Sequence, residues 1–190
     1  MKHFSSFLVI TLFFVGNNGF SQVKREVEER ISLEKLPYPI KSLLPIIKPN
    51  ARHIKFYHEI DGEKESYEVK FKKENTLFSI EFNNAGVLED IEVLISTEQL
   101  PKAIIEALNS IFIRYKLVRI QKQFLPTGEE SPERIIERLF ENRSTPRAYE
   151  IVLLGKTEKE NGKFEFIFDL LGNILDKRIL MLPNQDHVIY

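Results

Sequence analysis

The chain has 190 residues, of which 43% are hydrophobic, with 27 Lys and Arg against 28 Asp and Glu and no cysteine. This hydrophobic fraction can build a core, so the composition excludes a disordered chain. The near-neutral charge, with both signs interspersed, excludes nucleic acid and an anionic membrane surface as partners. Thiol catalysis and thiolate metal sites are excluded because there is no cysteine.

The first 21 residues have the pattern of a signal peptide. Lys2 is followed by an apolar run at residues 7–15, and the small residues Gly19 and Ser21 precede Gln22 at the −3 and −1 positions. The apolar run is about half the length of the ~20 residues that span a bilayer, so we predict no stable membrane insertion after cleavage. We expect cleavage between Ser21 and Gln22 and export to the periplasm or the medium.

Three short motifs occur twice in the same order. Residues 31–37 match residues 95–101 at five of seven positions, residues 67–69 resemble 149–151, and residues 82–86 resemble 168–172. The offset between the motifs grows along the chain, which indicates insertions in the second copy. We therefore predict a first repeat at 22–95, a second repeat at 96–182 with an insertion at about 125–147, and a C-terminal tail at 183–190.

Each repeat is predicted to contain a strand, then a helix, and then antiparallel strands. A proline at residue 37 and another at residue 101 suit the first helical turn, and apolar residues follow each of them at helical spacing. Ser131 and Pro132 predict the start of an extra short helix in the second repeat. The predicted fold class is α+β: two tandem repeats, each a helix packed on an antiparallel β-sheet, with an extra short helix inserted in the second. The predicted helical core positions are Ile40, Leu43, Leu44, Ile47, Ile104, Ala107, Leu108, Ile111, Ile135, Ile136, Leu139 and Phe140.

Alternation along the strands separates an inner face from an outer face. The inner positions include Phe82, Val118, Phe166 and Phe168. The outer positions are polar in the first repeat, at Glu68, Lys70, Ser79 and Glu81, but partly apolar in the second. Exposed apolar patches mark contacts, so Val152, Leu154 and Ile167 are candidate partner-binding residues. In the favoured alternative, the inserted helix folds over these three side chains and covers them.

These motifs together resemble a known family. A turn that ends in Leu-Pro, an amphipathic helix, a Tyr-x-Val strand and a Phe-x-x-x-Gly hairpin are similar to the PepSY-like, β-lactamase-inhibitor-like domains, over about residues 23–95 and 91–182. The resemblance implies an exported bacterial protein with helices on one face of an antiparallel sheet. It also implies protein binding, in some relatives with enzyme inhibition, and it supplies no catalytic residues.

No residue pattern predicts chemistry. His53 and His58 are five apart on a predicted strand, which places them on opposite faces and argues against a shared metal. The acid pairs at residues 89–90 and 129–130 lie beside predicted turns, where solvation keeps the pKa of a carboxyl ordinary. The repeated residues Ser32, Ser96, Tyr67 and Tyr149 have structural explanations. We predict no catalytic residue, no metal and no cofactor.

The sequence thus favours an exported, non-catalytic module that binds another protein, with inhibition of that protein as one form of the hypothesis. Two alternatives stay open. One is a structural envelope component without a dedicated ligand, and the other is an enzyme whose site assembles from residues that carry no motif. A cleft that holds clustered acids with perturbed pKa values would favour the enzyme.

Overall fold

A computed structural model describes residues 22–24, 26–126 and 130–180. The predicted signal peptide, its cleavage site and the tail at 183–190 lie outside these residues. The helices are α1 (Tyr38–Ile47), α2 (Lys102–Ile111) and α3 (Pro132–Phe140), and a 3₁₀ turn precedes α1 (Leu33–Lys35) and α2 (Thr97–Gln99). The strands are β1 (Gln22–Lys24), β2 (Glu26–Ile31), β3 (Ala51–Asp61), β4 (Lys64–Lys73), β5 (Thr76–Asn83), β6 (Leu88–Leu94), β7 (Arg114–Phe124), β8 (Ala148–Lys156), β9 (Asn161–Phe168) and β10 (Ile174–Leu180).

All described strands belong to one sheet, in the order β1-β10-β9-β8-β7-β6-β5-β4-β3-β2. Strands β2 to β10 are antiparallel to their neighbours, and β1 runs parallel to β10. The sheet is continuous across the middle of the chain, where β6 pairs with β7 and Ile91 lies opposite Phe124. The predicted fold class of two repeats, each with its own sheet, is therefore wrong, although the fold is a mixed α+β fold. The physical reason is that the last strand of the first half has a free edge, and the backbone groups of β7 satisfy it. The domain division at residue 95 stays a prediction.

The two edges of this sheet meet at one corner. Lys24 pairs with Leu180 of β10, whereas Glu26, two residues later, pairs with Asp61 of β3. Two residues of extended chain span at most about 7 Å, so these two ends of the strand order lie side by side. The sheet is therefore strongly curled, with one convex and one concave face.

The helices pack on the convex face, over two clusters of buried side chains. The first cluster holds Ile40 and Leu43 of α1 against Val69 and Ile80 of the strands. The second holds Ile104 and Leu108 of α2 with, among others, the phenylalanines of β9. The predicted core positions Ile40, Leu43, Leu44, Ile47, Ile104, Leu108, Ile135, Ile136, Leu139, Phe82, Phe166 and Phe168 are buried.

Helix α3 lies within the predicted insertion but packs against the first half of the chain. Its buried residues Ile135, Ile136 and Leu139 belong to the same cluster as α1. Neighbouring residues of a strand point to opposite faces, and Ile151 and Leu153 face the convex cluster under α2. Val152 therefore faces the other side. The hypothesis that α3 covers Val152, Leu154 and Ile167 is wrong, because the larger apolar surface available to α3 is the α1 side.

Repeated motifs form the same local structures. The β5–β6 and β9–β10 turns each contain a glycine at positive φ, Gly86 at 81° and Gly172 at 86°. In each turn a side-chain oxygen, of Asn83 or Asp169, accepts two backbone N–H bonds. Each glycine lies against a helix, so the turn fixes the helix on the sheet. Local sequence thus determines these turns even though the two halves share one sheet.

Ala107, Ile111 and Phe140, also predicted as core, are half-buried against the two clusters. The predicted inner position Val118 is wrong. Val118 is exposed, while Leu117 packs against the second cluster. The pairing of β7 with β8 shifts register between Leu117 and Arg119. A β-bulge at this point inserts one residue and reverses the alternation, which the sequence pattern does not reveal.

Candidate functional site: the concave face of the sheet

The concave face surrounds a polar cavity of about 280 Å³. Every strand from β2 to β10 contributes to its lining, which is possible only because the sheet curls. Nine of the lining residues are acidic and four are basic, so carboxylates are in excess. The lining residues are Glu28, Glu59, Asp61, Lys64, Ser66, Glu68, Lys70, Glu81, Asp90, Glu92, Arg119, Gln123, Glu150, Glu165, Ile167 and Arg178.

Lys70 is the centre of the first acidic cluster. Its Nζ lies 2.6 Å from Glu68, 3.1 Å from Glu28 and 3.9 Å from Glu59. Burial lowers the pKa of Lys70, but the carboxylates of Glu68 and Glu28 outweigh burial and raise it above its usual value. The hydroxyl of Ser79 also donates to Glu68.

The same three carboxylates have the spacing of a metal-ligand set, with oxygen atoms within 4.8 Å of one another. The Lys70 ammonium lies among them and supplies one positive charge against the three carboxylates. The expected absence of a metal stays a prediction.

A second acidic cluster lies across β6, β7 and β8. Gln123 Nε2 donates to Asp90 Oδ2 at 2.8 Å, and Gln121 Nε2 donates to Glu92 Oε2 at 2.6 Å. Arg119 Nη2 donates to Glu150 Oε1 at 2.8 Å. These two acids of β6 are two residues apart, and so are the two glutamines of β7. All four side chains therefore point to the concave face.

Burial perturbs two carboxyl groups of this cluster. Burial, with the neighbouring charge of Glu81, raises the pKa of Asp90 to about 7, although the Gln123 hydrogen bond acts in the other direction. Burial and the adjacent carboxylates of Glu150 and Asp90 raise the pKa of Glu92 well above its usual range. The hydrogen bond between the Glu92 carboxyl and Glu150 raises the pKa of Glu92 in the same direction. The expectation that Asp90 lies in a solvated turn is wrong, because it lies within β6 and faces the cavity.

An apolar groove of about 280 Å³ opens on the same face, toward the end of the sheet where β4 and β5 are joined. Leu77 is 48% exposed and Leu94 36% exposed, and both line the groove together with Tyr57. Lys55 and Lys72 form its basic wall. Neither lysine has an ion pair with any residue that the structure describes.

The two histidines lie on opposite faces, as the spacing predicts. His53 lines the groove on the concave face, and His58 packs on Tyr67 on the helix face, with ring centroids 5.1 Å apart. The pairing of β3 with β4 shifts between Arg52 and Lys55, and His53 has a positive φ of 55°. This bulge aims His53 at the groove, a device that is common at functional sites.

The serines and the tyrosine that recur in the sequence take part in contacts that stabilise local structure. The hydroxyls of Ser32 and Ser96 hydrogen-bond Glu34 and Glu98 and so hold the pKa of each carboxyl below its usual value. Tyr149 is buried in the second cluster, which raises its pKa.

The three candidate partner-binding residues lie on the concave face but differ in access. Val152 is only 3% exposed, Ile167 is half-buried in the cavity wall, and Leu154 is 42% exposed. Val152 lies between Arg119 and Glu165 on the neighbouring strands, whose long side chains cover it. Their role in binding stays a prediction.

Sequence reasoning missed Lys55, Lys72, Leu77, Leu94 and the amide–acid ladder of β6 and β7. A usable signal was present in the alternation at residues 90, 92, 121 and 123, which places acids and amides on one face of adjacent strands. The pairing of β6 with β7 could not be predicted from the sequence.

No family model matches the sequence, and no curated protein is similar to it. Similar solved structures exist. A DUF2874 family protein from Bacteroides uniformis superposes with a TM-score of 0.51 at 12% identity, over 76% of this chain and 89% of that protein. A candidate periplasmic protein from Bacteroides eggerthii gives a TM-score of 0.52 at 15% identity, over 75% and 88%. This chain shares their fold.

A protein from Bacteroides fragilis described as BLIP-like also matches, with a TM-score of 0.49 and 17% identity, over 80% of this chain and 93% of that protein. The Bacteroides uniformis and Bacteroides eggerthii structures show the fold alone, and membership of the PepSY-like, β-lactamase-inhibitor-like family stays a prediction. The description of the Bacteroides eggerthii protein agrees with the exported location predicted here. Among the described residues, no helix is long and apolar enough to cross a membrane.

Proposed function

We propose that this chain is an exported, non-catalytic binding protein that takes up a protein partner on the concave face of its sheet. The observation that carries the proposal is the shape of this face: a curled sheet places charged side chains of nine strands around one cavity, beside an open apolar groove. The helices occupy the convex face, so the concave face is the large surface left for a partner.

Exposed apolar side chains at the mouth of this face support protein binding. Leu77, Leu94 and Leu154 come from three different strands and are each more than a third exposed. Apolar side chains of this size beside charged ones are typical of protein–protein interfaces, in which an apolar centre is surrounded by a polar rim. Leu154 was among the candidates predicted from sequence, and the proposal retains it as an exposed contact, with Ile167 in the cavity wall and Val152 beneath the side chains that cover it.

Site-specific photocrosslinking tests this function. A photoreactive phenylalanine analogue at Leu77 or Leu154 is expected to form a covalent adduct with a protein in the native host's periplasm. The matched control carries the analogue at Lys102, which is exposed on α2 of the convex face. No adduct at either leucine, or equal adducts at Lys102, would contradict the proposal.

A second candidate function is acid–base catalysis, because Asp90 and Glu92 are clustered acids with raised pKa values in a cavity. A carboxyl group that keeps its proton near neutral pH can serve as a general acid. Against this function, Asp90, Glu92 and Glu150 are each engaged by a donor within the sheet, at Gln123, Gln121 and Arg119 respectively. Hydrolysis of p-nitrophenyl glycosides or esters that is lost in Glu92→Gln would favour the enzyme.

A further inference from the structure

The groove contains a row of side chains that runs across four strands. Lys72 lies opposite Leu77 in the β4–β5 pairing, and Leu94 lies opposite Gln121 in the β6–β7 pairing. In the β5–β6 pairing, Phe78 lies opposite Val93. Leu77 and Leu94 therefore face each other at the next position of the same two strands. The row is therefore Lys72, Leu77, Leu94 and Gln121, with adjacent Cβ atoms about 5 Å apart.

The unpaired charges of the groove are positive. Its two carboxyl groups are engaged, since Glu68 is bound by Lys70 and Ser79, and Glu92 is bound by Gln121. Lys55 and Lys72 have no such partner among the described residues. Arg52 and Lys72 line an adjoining cavity together with Glu74, so basic groups outnumber the acidic group there. An anionic ligand group complements this wall.

The far end of the row offers an acceptor. Gln121 is buried, its Nε2 is used by Glu92, and its Oε1 has no hydrogen-bond partner among the described residues. A buried acceptor without a partner costs free energy, which a ligand N–H would recover. A peptide supplies such a donor from its backbone, whereas a fatty acid has none.

We propose, on the basis of the protein-binding function above, that this groove binds an extended peptide segment of the partner in which an acidic residue adjoins aliphatic residues. Lys55 and Lys72 bind the carboxylate, Leu77 and Leu94 contact the aliphatic side chain, and Gln121 Oε1 accepts a peptide N–H. The specificity is for an acidic, leucine-like motif and against a basic one.

Fluorescence anisotropy with labelled synthetic peptides tests this specificity. The probe is the blocked peptide Gly-Leu-Glu-Leu-Glu-Leu-Gly, and its matched controls replace Glu by Lys or Leu by Ser. We expect both controls to bind at least about tenfold more weakly. We also expect the affinity of the acidic peptide to fall as salt is raised, since exposed charges are screened.

A charge exchange in the protein provides the second measurement. The double variant Lys55→Glu/Lys72→Glu is expected to reverse the preference, so that the Lys peptide binds more tightly than the Glu peptide. The control Lys102→Glu makes the same kind of exchange once, on the convex face, with half the total charge change, and is expected to leave the preference unchanged. Both variants are to be compared by circular dichroism to show that they fold.

Equal binding of the three peptides, or an unchanged preference in the double variant, would overturn the proposal. Tighter binding of oleate than of the acidic peptide would overturn it in favour of a lipid. The photocrosslinking experiment separates the two levels of inference. An adduct at Leu154 without peptide discrimination would refute the groove chemistry alone, and the absence of both would refute the binding function as well.

Discussion

At the scale of single residues, carboxylates outnumber basic groups on the concave face, and Lys70 lies against three of them. Three carboxylates face its ammonium group, and two of them, Glu59 and Glu68, are buried. Removal of one partner leaves the other charges buried without compensation, which costs more than the pair contributes.

Lys70→Ala is therefore expected to lower the free energy of unfolding by about 2–3 kcal/mol at pH 8, less than for a fully buried pair because Lys70 is partly exposed. Urea denaturation at pH 8 measures this loss. Lys72→Ala removes a lysine of the same strand and face that has no ion pair within the described part of the chain, and it should change stability by less than about 0.5 kcal/mol. Equal effects of the two substitutions would show that the cluster does not stabilise the fold.

The raised pKa of Asp90 makes the stability of the protein depend on pH, and the direction of the shift fixes the sign of this dependence. Its pKa is raised from 3.8 to about 7 in the folded state, so the folded chain binds more protons than the unfolded chain between about pH 4 and pH 7. Stability from this group is thus fully present below about pH 4, is lost as the pH rises to 7, and changes no further above that. Glu92 acts in the same direction.

Asp90→Asn removes the charge and is expected to raise the free energy of unfolding by about 1–2 kcal/mol at pH 8. This value is smaller than the pKa shift alone would give, because Asp90 is only half-buried and solvent screens its charge. At pH 4.5 the gain should nearly vanish. Chemical denaturation of both proteins at pH 4.5, 6 and 8 provides the comparison, with the exposed turn substitution Glu63→Gln as control. A gain that is the same at every pH would mean that the carboxyl group of Asp90 is ionised throughout.

At the scale of elements, turns and helices fit one another through glycine. Gly172 has φ 86°, and a Cβ atom on it would lie 2.8 Å from the backbone oxygen of Ala103 in α2. Gly62, in the β3–β4 turn, has φ 64° and open space around the same position. The two glycines therefore separate the cost of a left-handed backbone from the cost of a steric clash.

Gly62→Ala should destabilise the protein by about 1 kcal/mol through the backbone alone. Gly172→Ala should cost clearly more, about 2–4 kcal/mol, because α2 must also move away from the turn. Thermal and urea unfolding of the pair measures the difference. If the two variants are equally stable, the β9–β10 turn does not position α2.

At the scale of the whole molecule, the two halves of the chain are joined in one structure. The β6–β7 pairing continues the sheet, and α3 from the second half completes the cluster under α1 in the first. If the second half unfolds, the first cluster loses the side chains of α3, and if the first half unfolds, β7 loses its partner strand β6. This mutual dependence is the physical basis of cooperative unfolding.

We therefore expect one calorimetric transition in which the van't Hoff and calorimetric enthalpies agree. Ile136→Ala, in α3, should lower the temperature of this single transition rather than split it, since Ile136 is fully buried in the first cluster. Two resolved transitions would mean that the halves fold as separate units in spite of the shared sheet.

The sequence by itself determined the helices, the turns and the two faces of most strands. Helical spacing after Pro37 and Pro101 identified the buried face of each helix, and alternation placed Glu68, Lys70, Ser79 and Glu81 away from the core. These properties depend on neighbours within a few residues, so local patterns contain them. The bulge at Val118 was missed because an inserted residue leaves no trace in the alternation.

Only the tertiary structure decided that the strands form one curled sheet and that α3 joins the first half. Pairing of β6 with β7, and the meeting of the sheet edges near residues 24 and 26, depend on contacts between distant segments that compete with many alternatives. The curvature of the sheet also buries the concave face, which the polar outer positions predicted to be solvated. This burial raises the pKa of Asp90 and covers Val152. The candidate site therefore follows from the closure of the sheet, because the same residues on a flat sheet would be solvated, ordinary charges.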